Sequence, residues 1–327
     1  MSSDMPESAV PTGTAVDAAA AGGIIEGKSP WQLAWRRLRR DKVGIASAVV
    51  IVLLVVLALG APLIAQWLGH PYQQQYPKTG LGRDGLPVGP GKAGFILGTD
   101  EIGRDIFVRV AYGAQISLFV GIVATLIATA VGVALGLIAG YFGGVVDVVL
   151  SRLMDAVLSF PYVLFAIALV SVFGSSLAIT IAVIAFFSWA AVGRVVRGQT
   201  LSIKEKEYVE AARSLGAGDF RIMFIDILPN LIAPVIVLGT LLIPSAIVFE
   251  ATLSYLGLGV PLPTPTWGNM LSDSQTGGVY TVAWWFWFFP GLALLVTTLA
   301  FNLLGDSVRD ALDPRTERVF AAAGKRR

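Results

Sequence analysis

The chain has 327 residues, 55% of them hydrophobic and only 14% charged, with a net charge of +2, a single histidine and no cysteine. Charge this far below the usual quarter of residues cannot cover a water-soluble globule of this length, so lipid is the expected solvent for much of the surface. The composition excludes disulfides, thiol nucleophiles, thiolate metal sites and multi-histidine metal centres, and the small net charge points to no nucleic-acid partner.

Residues 1–29 are rich in Ala, Gly, Ser, Pro and Thr and are expected to form a disordered tail; they lack the apolar stretch of a secretory signal. A basic cluster, Arg36, Arg37, Arg39, Arg40 and Lys42, then precedes an uncharged apolar run over 43–68. That run exceeds the roughly 20 residues a bilayer core requires. A cleaved signal is the alternative, but the length and the lack of a small-residue cleavage site favour an uncleaved first span. His70, beside Pro71, is expected at the interface without a chemical role.

Further apolar runs follow at 113–140, 148–173, 177–193, 231–256 and 285–304. In the second, Gly132, Gly136 and Gly140 recur at intervals of four, a pattern that lets helix backbones approach closely. The third carries Arg152 and Asp155 in its first turns and is expected to kink at Pro161. Those two charges, three apart, form a candidate structural pair that sets helix depth, with a gating role as the alternative. The fifth holds Glu250 near its outer end, a candidate gate or pathway residue. The plainer reading is a carboxylate that accepts backbone hydrogen bonds where the helix unwinds before Gly257. The sixth opens on Trp284, Trp285, Phe286 and Trp287, which suits an interfacial aromatic belt.

Six spans place the loops 69–112, 174–176 and 257–284 on one side of the membrane. They hold Lys78, Arg83, Lys92, Arg104 and Arg109, only five of the 24 basic residues, so both termini are expected in the cytoplasm. Asp100, Arg104, Asp105 and Arg109 then lie outside, where mixed charge is usually solvated; the Gly103-Arg104-Asp105 run suggests instead an ordered amphipathic entry into the second span, with a docking surface for an outer partner protein as the alternative.

The cytoplasmic loop 194–230 interleaves Arg194, Arg197, Lys204, Lys206, Arg213 and Arg221 with Glu205, Glu207, Glu210, Asp219 and Asp226. Ile203, Tyr208, Val209, Ala212 and Leu215 interrupt these charges at helical spacing, which predicts a short amphipathic helix able to dock in a partner's groove. An ordinary solvated loop helix is the alternative. Glu210-Ala211-Ala212 offers small residues for close approach, and Gly216 offers a helix end with positive φ. No Gly-x-x-x-x-Gly-Lys-Ser/Thr occurs, so any nucleotide motor is expected on another polypeptide.

Glu210-Ala211-Ala212, Gly216 and Leu228-Pro229 resemble the "EAA" loop of ABC importer permeases, with Asp226 standing where that pattern has an apolar Ile. Leu97-Gly98-Thr99-Asp100, Gly103-Arg104-Asp105, Arg109, Gly113 and Ser117-Leu118 are similar to the segment leading into the second span of dipeptide, oligopeptide and nickel permeases. Ser254-Tyr255-Leu256-Gly257-Leu258-Gly259 with Pro263-Thr264-Pro265-Thr266-Trp267-Gly268-Asn269, and Asn302-Leu303-Leu304-Gly305-Asp306 with Arg309-Asp310-Ala311-Leu312-Asp313-Pro314-Arg315, resemble the same family's outer loop and C-terminal signature. Over most of 30–316 the chain thus resembles the "C"-type permease subunit of that family.

The resemblance implies an all-α integral membrane protein of the type I ABC importer permease fold, in the cell membrane. It divides the chain into the tail 1–29, an N-terminal region 30–112 with the first span, a transmembrane domain 113–305 with the coupling loop 194–230, and a cytoplasmic tail 306–327. It assigns ATPase coupling to Glu210, Ala211, Ala212, Leu215 and Gly216. Implied partners are a homologous second permease, one or two cytoplasmic ATPase subunits, an extracytoplasmic substrate-binding protein and membrane lipid. ATP and magnesium would be bound by those partners, with no cofactor, metal or catalytic residue in this chain. The implied cargo is peptides, with nickel or another small solute as the alternative. Two rivals are an ion-coupled secondary transporter, which the nearly charge-free span centres disfavour, and a membrane scaffold.

Overall fold

A computed structural model describes residues 30–313. The expected tail 1–29 and the end of the cytoplasmic tail, 314–327, lie outside the described residues. The helices are α1 Pro30–Leu38, α2 Lys42–Leu68, α3 Ile106–Phe142, α4 Gly144–Ser159, α5 Tyr162–Phe173, α6 Leu177–Ile203, α7 Glu207–Ser214, α8 Asp219–Tyr255, α9 Trp267–Gln275 and α10 Trp284–Leu312. Among the described residues the β structure consists of isolated bridges in the segment between α2 and α3.

Five helices, α2, α3, α6, α8 and α10, are long and apolar enough to cross a bilayer, and α4 with α5 makes a sixth crossing if the bent pair is one span. The bend is 87°. Its cause is local: Pro161 has no amide hydrogen and forces Phe160 into an extended conformation, so the ladder of α4 stops there. What the sequence suggests as a kink is a break. Three other helices outrun their apolar stretches. Helix α3 begins at Ile106 because the Asp105 side chain accepts from the amides of Phe107 and Val108. Helix α6 continues to Ile203, and α8 starts at Asp219 and passes through a π-helical turn, Ile222–Ile227. Hydropathy registers only the part of each helix that suits lipid.

The bundle is organised around α3 and α6. A Cβ added at Gly132 would stand 2.6 Å from Val192 Cβ, one at Gly136 would stand 2.5 Å from the Gly193 carbonyl oxygen, and one at Gly140 would stand 2.6 Å from Thr200 Cβ. The two backbones therefore meet along three successive helical turns, which no larger residue permits. Helix α8 packs on this pair, and α10 and α2 pack outside it. On α2, Leu59, Leu63 and Trp67 are at least 69% exposed, an apolar surface suited to lipid.

The two ends of the bundle are built differently. At one end Val209 of α7 is fully buried among Leu137, Tyr141, Val196, Ile222 and Met223. At the other end the segment between α2 and α3, together with α9, folds over the starts of α3 and α10. The Trp285 indole donates to the Thr99 carbonyl at 3.1 Å, and the Trp267 indole donates to Val110 at 3.1 Å. The expected aromatic belt is thus split: Trp284 and Trp287 face outward, whereas Trp285 and Phe286 are buried.

Nor is the mixed charge of this end solvated. Asp100, Arg104, Asp105 and Arg109 are all buried. Arg104 Nε lies 2.5 Å from Asp100, and Arg104 and Arg109 reach Asp273 of α9 at 3.3 and 3.4 Å. His70 Nδ1 meets Asp105 at 2.7 Å, and its ring stacks on Phe95. Two guanidinium groups facing two carboxylates leave little net charge, which makes their burial tolerable. Burial raises the Asp273 carboxyl above its ordinary range, against the lowering effect of Arg109 and Arg104.

The α3–α6 contact yields a direct test. Gly136→Ala is expected to cost about 1–3 kcal/mol through overpacking against the Gly193 carbonyl. This would be read as a lower Tm of the detergent-solubilised protein. Gly198→Ala on the partner helix α6, where an added Cβ meets nothing within 4 Å, should not lower Tm.

Candidate coupling surface and translocation groove

Helix α7 is a single amphipathic hook. Lys206 enters it in an extended conformation, and Glu207 and Glu210 fall in the first turn, where they suit the positive end of the helix dipole. The helix closes on Gly216, at φ +81, with the Ala217 amide donating to the Ala212 carbonyl at 3.0 Å. Around this frame Tyr141 Oη donates to Asp219 at 2.6 Å, the Arg213 guanidinium lies 6.0 Å from the Tyr141 ring, and Asn230 Nδ2 donates to Tyr208 Oη at 3.2 Å. Val209 points inward and Ala212 is half-buried, while Glu210, Ala211 and Gly216 are exposed. Leu215 is 89% exposed and Phe220 is 73% exposed. The structure thus leaves four of the five sequence-selected residues exposed between the first turn of α7 and its C-terminal cap, and half-buries the fifth, Ala212.

A second surface is not among the sequence candidates. Two clefts lie along the face shared by α8 and α10. One, about 350 Å³, is edged by Tyr162 of α5 and lined by Ser245, Thr252, Thr298 and Asn302. The other, about 670 Å³, is edged by Gln199 of α6 and lined by Val237, Leu241, Arg309 and Asp313. Ser245 and Asn302 are exposed although they stand within membrane-crossing helices. Polar side chains at such depth face protein or water rather than lipid. The signal that could have found this surface is the interval of seven between Ser245 and Thr252, and of four and seven among Thr298, Asn302 and Arg309. Those intervals put each set on one helix face.

Glu250 lies outside both clefts. Its carboxylate is completely buried and accepts from Ser117 Oγ of α3 at 2.8 Å and Ser254 Oγ at 2.7 Å, with Thr266 as a third side-chain partner. Its partners are hydroxyl groups from three segments, whereas the plainer sequence reading expects backbone amides. Arg152 and Asp155 approach to 3.9 Å, both largely exposed. The close partner of Asp155 is Arg194 of α6, at 2.6 Å. Two turns earlier on α4, Asp147 takes both Nε and Nη2 of Arg197, the latter at 2.7 Å, so α4 is tied to α6 by two ion pairs. Among the described residues no group of three or more His, Asp or Glu side chains is arranged to hold a metal.

Replacing Glu250 with Leu would strand three buried hydroxyl groups at a cost on the order of 1–3 kcal/mol. Thermal unfolding of the solubilised protein should show a lower Tm for Glu250→Leu and an intermediate one for Glu250→Gln, which keeps an acceptor.

Known proteins resemble the chain along nearly all of it. The family described as the binding-protein-dependent transport system inner membrane component matches residues 132–318, and the N-terminal TM domain of oligopeptide transport permease C matches residues 29–81. The oligopeptide transport system permease protein OppC of Escherichia coli (strain K12) is 44% identical over 292 residues, covering 89% of this chain and 93% of that protein. The glutathione transport system permease protein GsiD of Shigella flexneri serotype 5b (strain 8401) is 43% identical over 288 residues, covering 88% and 91%. In fold, the chain is similar to the inward-facing MetNI methionine ABC transporter. That match has a TM-score of 0.52 at 15% identity and covers 63% of this chain and 96% of that one. A bundle of membrane-crossing helices, a family pattern spanning more than half the length and relatives above two-fifths identity lead to one conclusion: this is a multi-pass membrane protein that belongs to the binding-protein-dependent transport system inner membrane component family.

Proposed function

We propose that the chain is the "C"-type permease subunit of an ATP-driven importer of short peptides, with the α8–α10 face as its half of the pathway. Helix α7 is its contact with the ATPase. The peptide cargo is supported by relatives named for oligopeptide and glutathione transport. A homologous second permease supplies the other half of the pathway, one or two cytoplasmic ATPase subunits bind ATP and magnesium, and an extracytoplasmic binding protein delivers substrate. Both termini and α7 lie on the cytoplasmic side of the cell membrane, in keeping with the bias of Lys and Arg.

The observation that carries this reading is the tip of α7, where an almost fully exposed Leu215 stands beside Gly216 on a helix whose opposite face is locked by Val209. An exposed apolar anchor on a preorganised support is what a partner's cleft requires. Coupling follows from the packing. Val209 sits where α3, α6 and α8 converge, so displacement of α7 by ATPase closure moves three spans together. The ATPase drives transport only to the extent that its two nucleotide states bind α7 with different free energy.

Leu215→Asp combined with Gly216→Val should abolish ATPase co-purification or reduce peptide uptake at least tenfold, about 1.4 kcal/mol of lost coupling, while membrane insertion stays normal. Wild-type uptake by the double variant would remove the coupling assignment.

A further inference from the structure

The short helix α1 and the first half of α2 enclose a groove that the transport reading does not use. Trp35, Leu38, Ile45, Ala48, Val49 and Val52 form most of its lining, with Leu304 of α10 behind, and its volume is about 340 Å³. Trp35, Val49 and Val52 are more than half exposed along it. From Gly44 to Leu53 the groove follows α2 for about 14 Å at 1.5 Å per residue, close to half of a hydrocarbon core of about 30 Å. It therefore has the depth of one leaflet.

One mouth of this groove is cationic. Arg39 lines it, with its guanidinium 5.1 Å from the centroid of the Trp35 ring, and Arg36, Arg40 and Lys42 are exposed nearby in the chain. Arg37 is differently engaged: its Nη1 donates to the carbonyls of Ala311 and Asp313 at 3.3 and 2.9 Å, fastening α1 to the end of α10. Asp41, the acidic residue of this stretch, accepts from the Val43 amide at 3.0 Å and caps α2. The mouth thus keeps Arg39 over the Trp35 indole, with Arg36, Arg40 and Lys42 exposed in the adjoining residues, above an apolar trough of leaflet depth.

We propose that this groove is a binding site for one anionic phospholipid, with an acyl chain along α2 and the acidic headgroup on Arg39, Arg40 and Lys42. The apolar trough selects a lipid over a free anion, and the cations select an acidic headgroup over a zwitterionic one. The inner leaflet as the source of this lipid rests on the orientation proposed above; the lipid site itself does not. An inverted topology would show in accessibility labelling, not in lipid retention.

The test uses the assembled transporter, reconstituted in nanodiscs of equal phosphatidylglycerol and phosphatidylcholine, extracted into mild detergent, and read by native mass spectrometry. Wild type should retain about one phosphatidylglycerol in preference to phosphatidylcholine, and millimolar inorganic phosphate should not displace it. R39Q/R40Q should weaken retention about fivefold for each charge removed. A48W, which fills the trough and leaves the cations in place, should abolish retention. Equal retention of both lipids, unchanged retention in R39Q/R40Q, or displacement by phosphate alone would overturn the site, as would a second protein copy covering the groove in place of lipid. R39Q/R40Q lies on the exposed surface, so the outcome does not depend on how well A48W folds.

Discussion

Backbone contact between α3 and α6 is the constraint on which the rest of the molecule depends. Three glycines on α3 bring α6 so close that side chains from both helices line a common end, with Leu137 and Tyr141 from one and Val192 and Val196 from the other. That end is the socket for Val209. The ion pairs from Asp147 and Asp155 to Arg197 and Arg194 add α4 to the same unit. Without the close seam the socket would open and α7 would have no fixed base.

The two ends of the bundle use different forces for different tasks. The end that holds α9 is latched by oriented polar contacts: Asp100 and Asp273 around Arg104 and Arg109, and Glu250 between α3, α8 and the start of α9. Such contacts are short-ranged and geometrically demanding, which suits a lid that holds one arrangement. The α7 end rests on apolar packing around Val209, which tolerates small sliding of one helix on another. Between them the α8–α10 face carries hydroxyl and amide groups in one cleft and Arg309 with Asp313 in another.

Much of this was legible in the residues. Long uncharged runs report lipid directly, the glycines at intervals of four announced the α3–α6 seam, and Gly216 marked a helix end that requires positive φ. Other features were hidden for physical reasons. An ordered entry into the second span was legible around Arg104 and Arg109, but not its burial, because their carboxylate partner Asp273 is remote in sequence and close only in space. Asp155 read as a partner of Arg152 because local spacing shows one face of one helix, whereas its shorter contact crosses to α6. The two clefts went unseen because single polar residues barely alter the hydropathy of an apolar run. Their alignment emerges only when α8 and α10 are set side by side.

The central claim is that α7 is a cytoplasmic element offered to a separate motor. Because the chain has no cysteine, a single Ala211→Cys variant gives a clean probe of that exposed turn. With a membrane-impermeant maleimide, the account predicts no labelling in sealed intact cells and ready labelling in inverted vesicles stripped of the ATPase. It also predicts protection when the ATPase is restored. Labelling from the outside of intact cells would contradict the account.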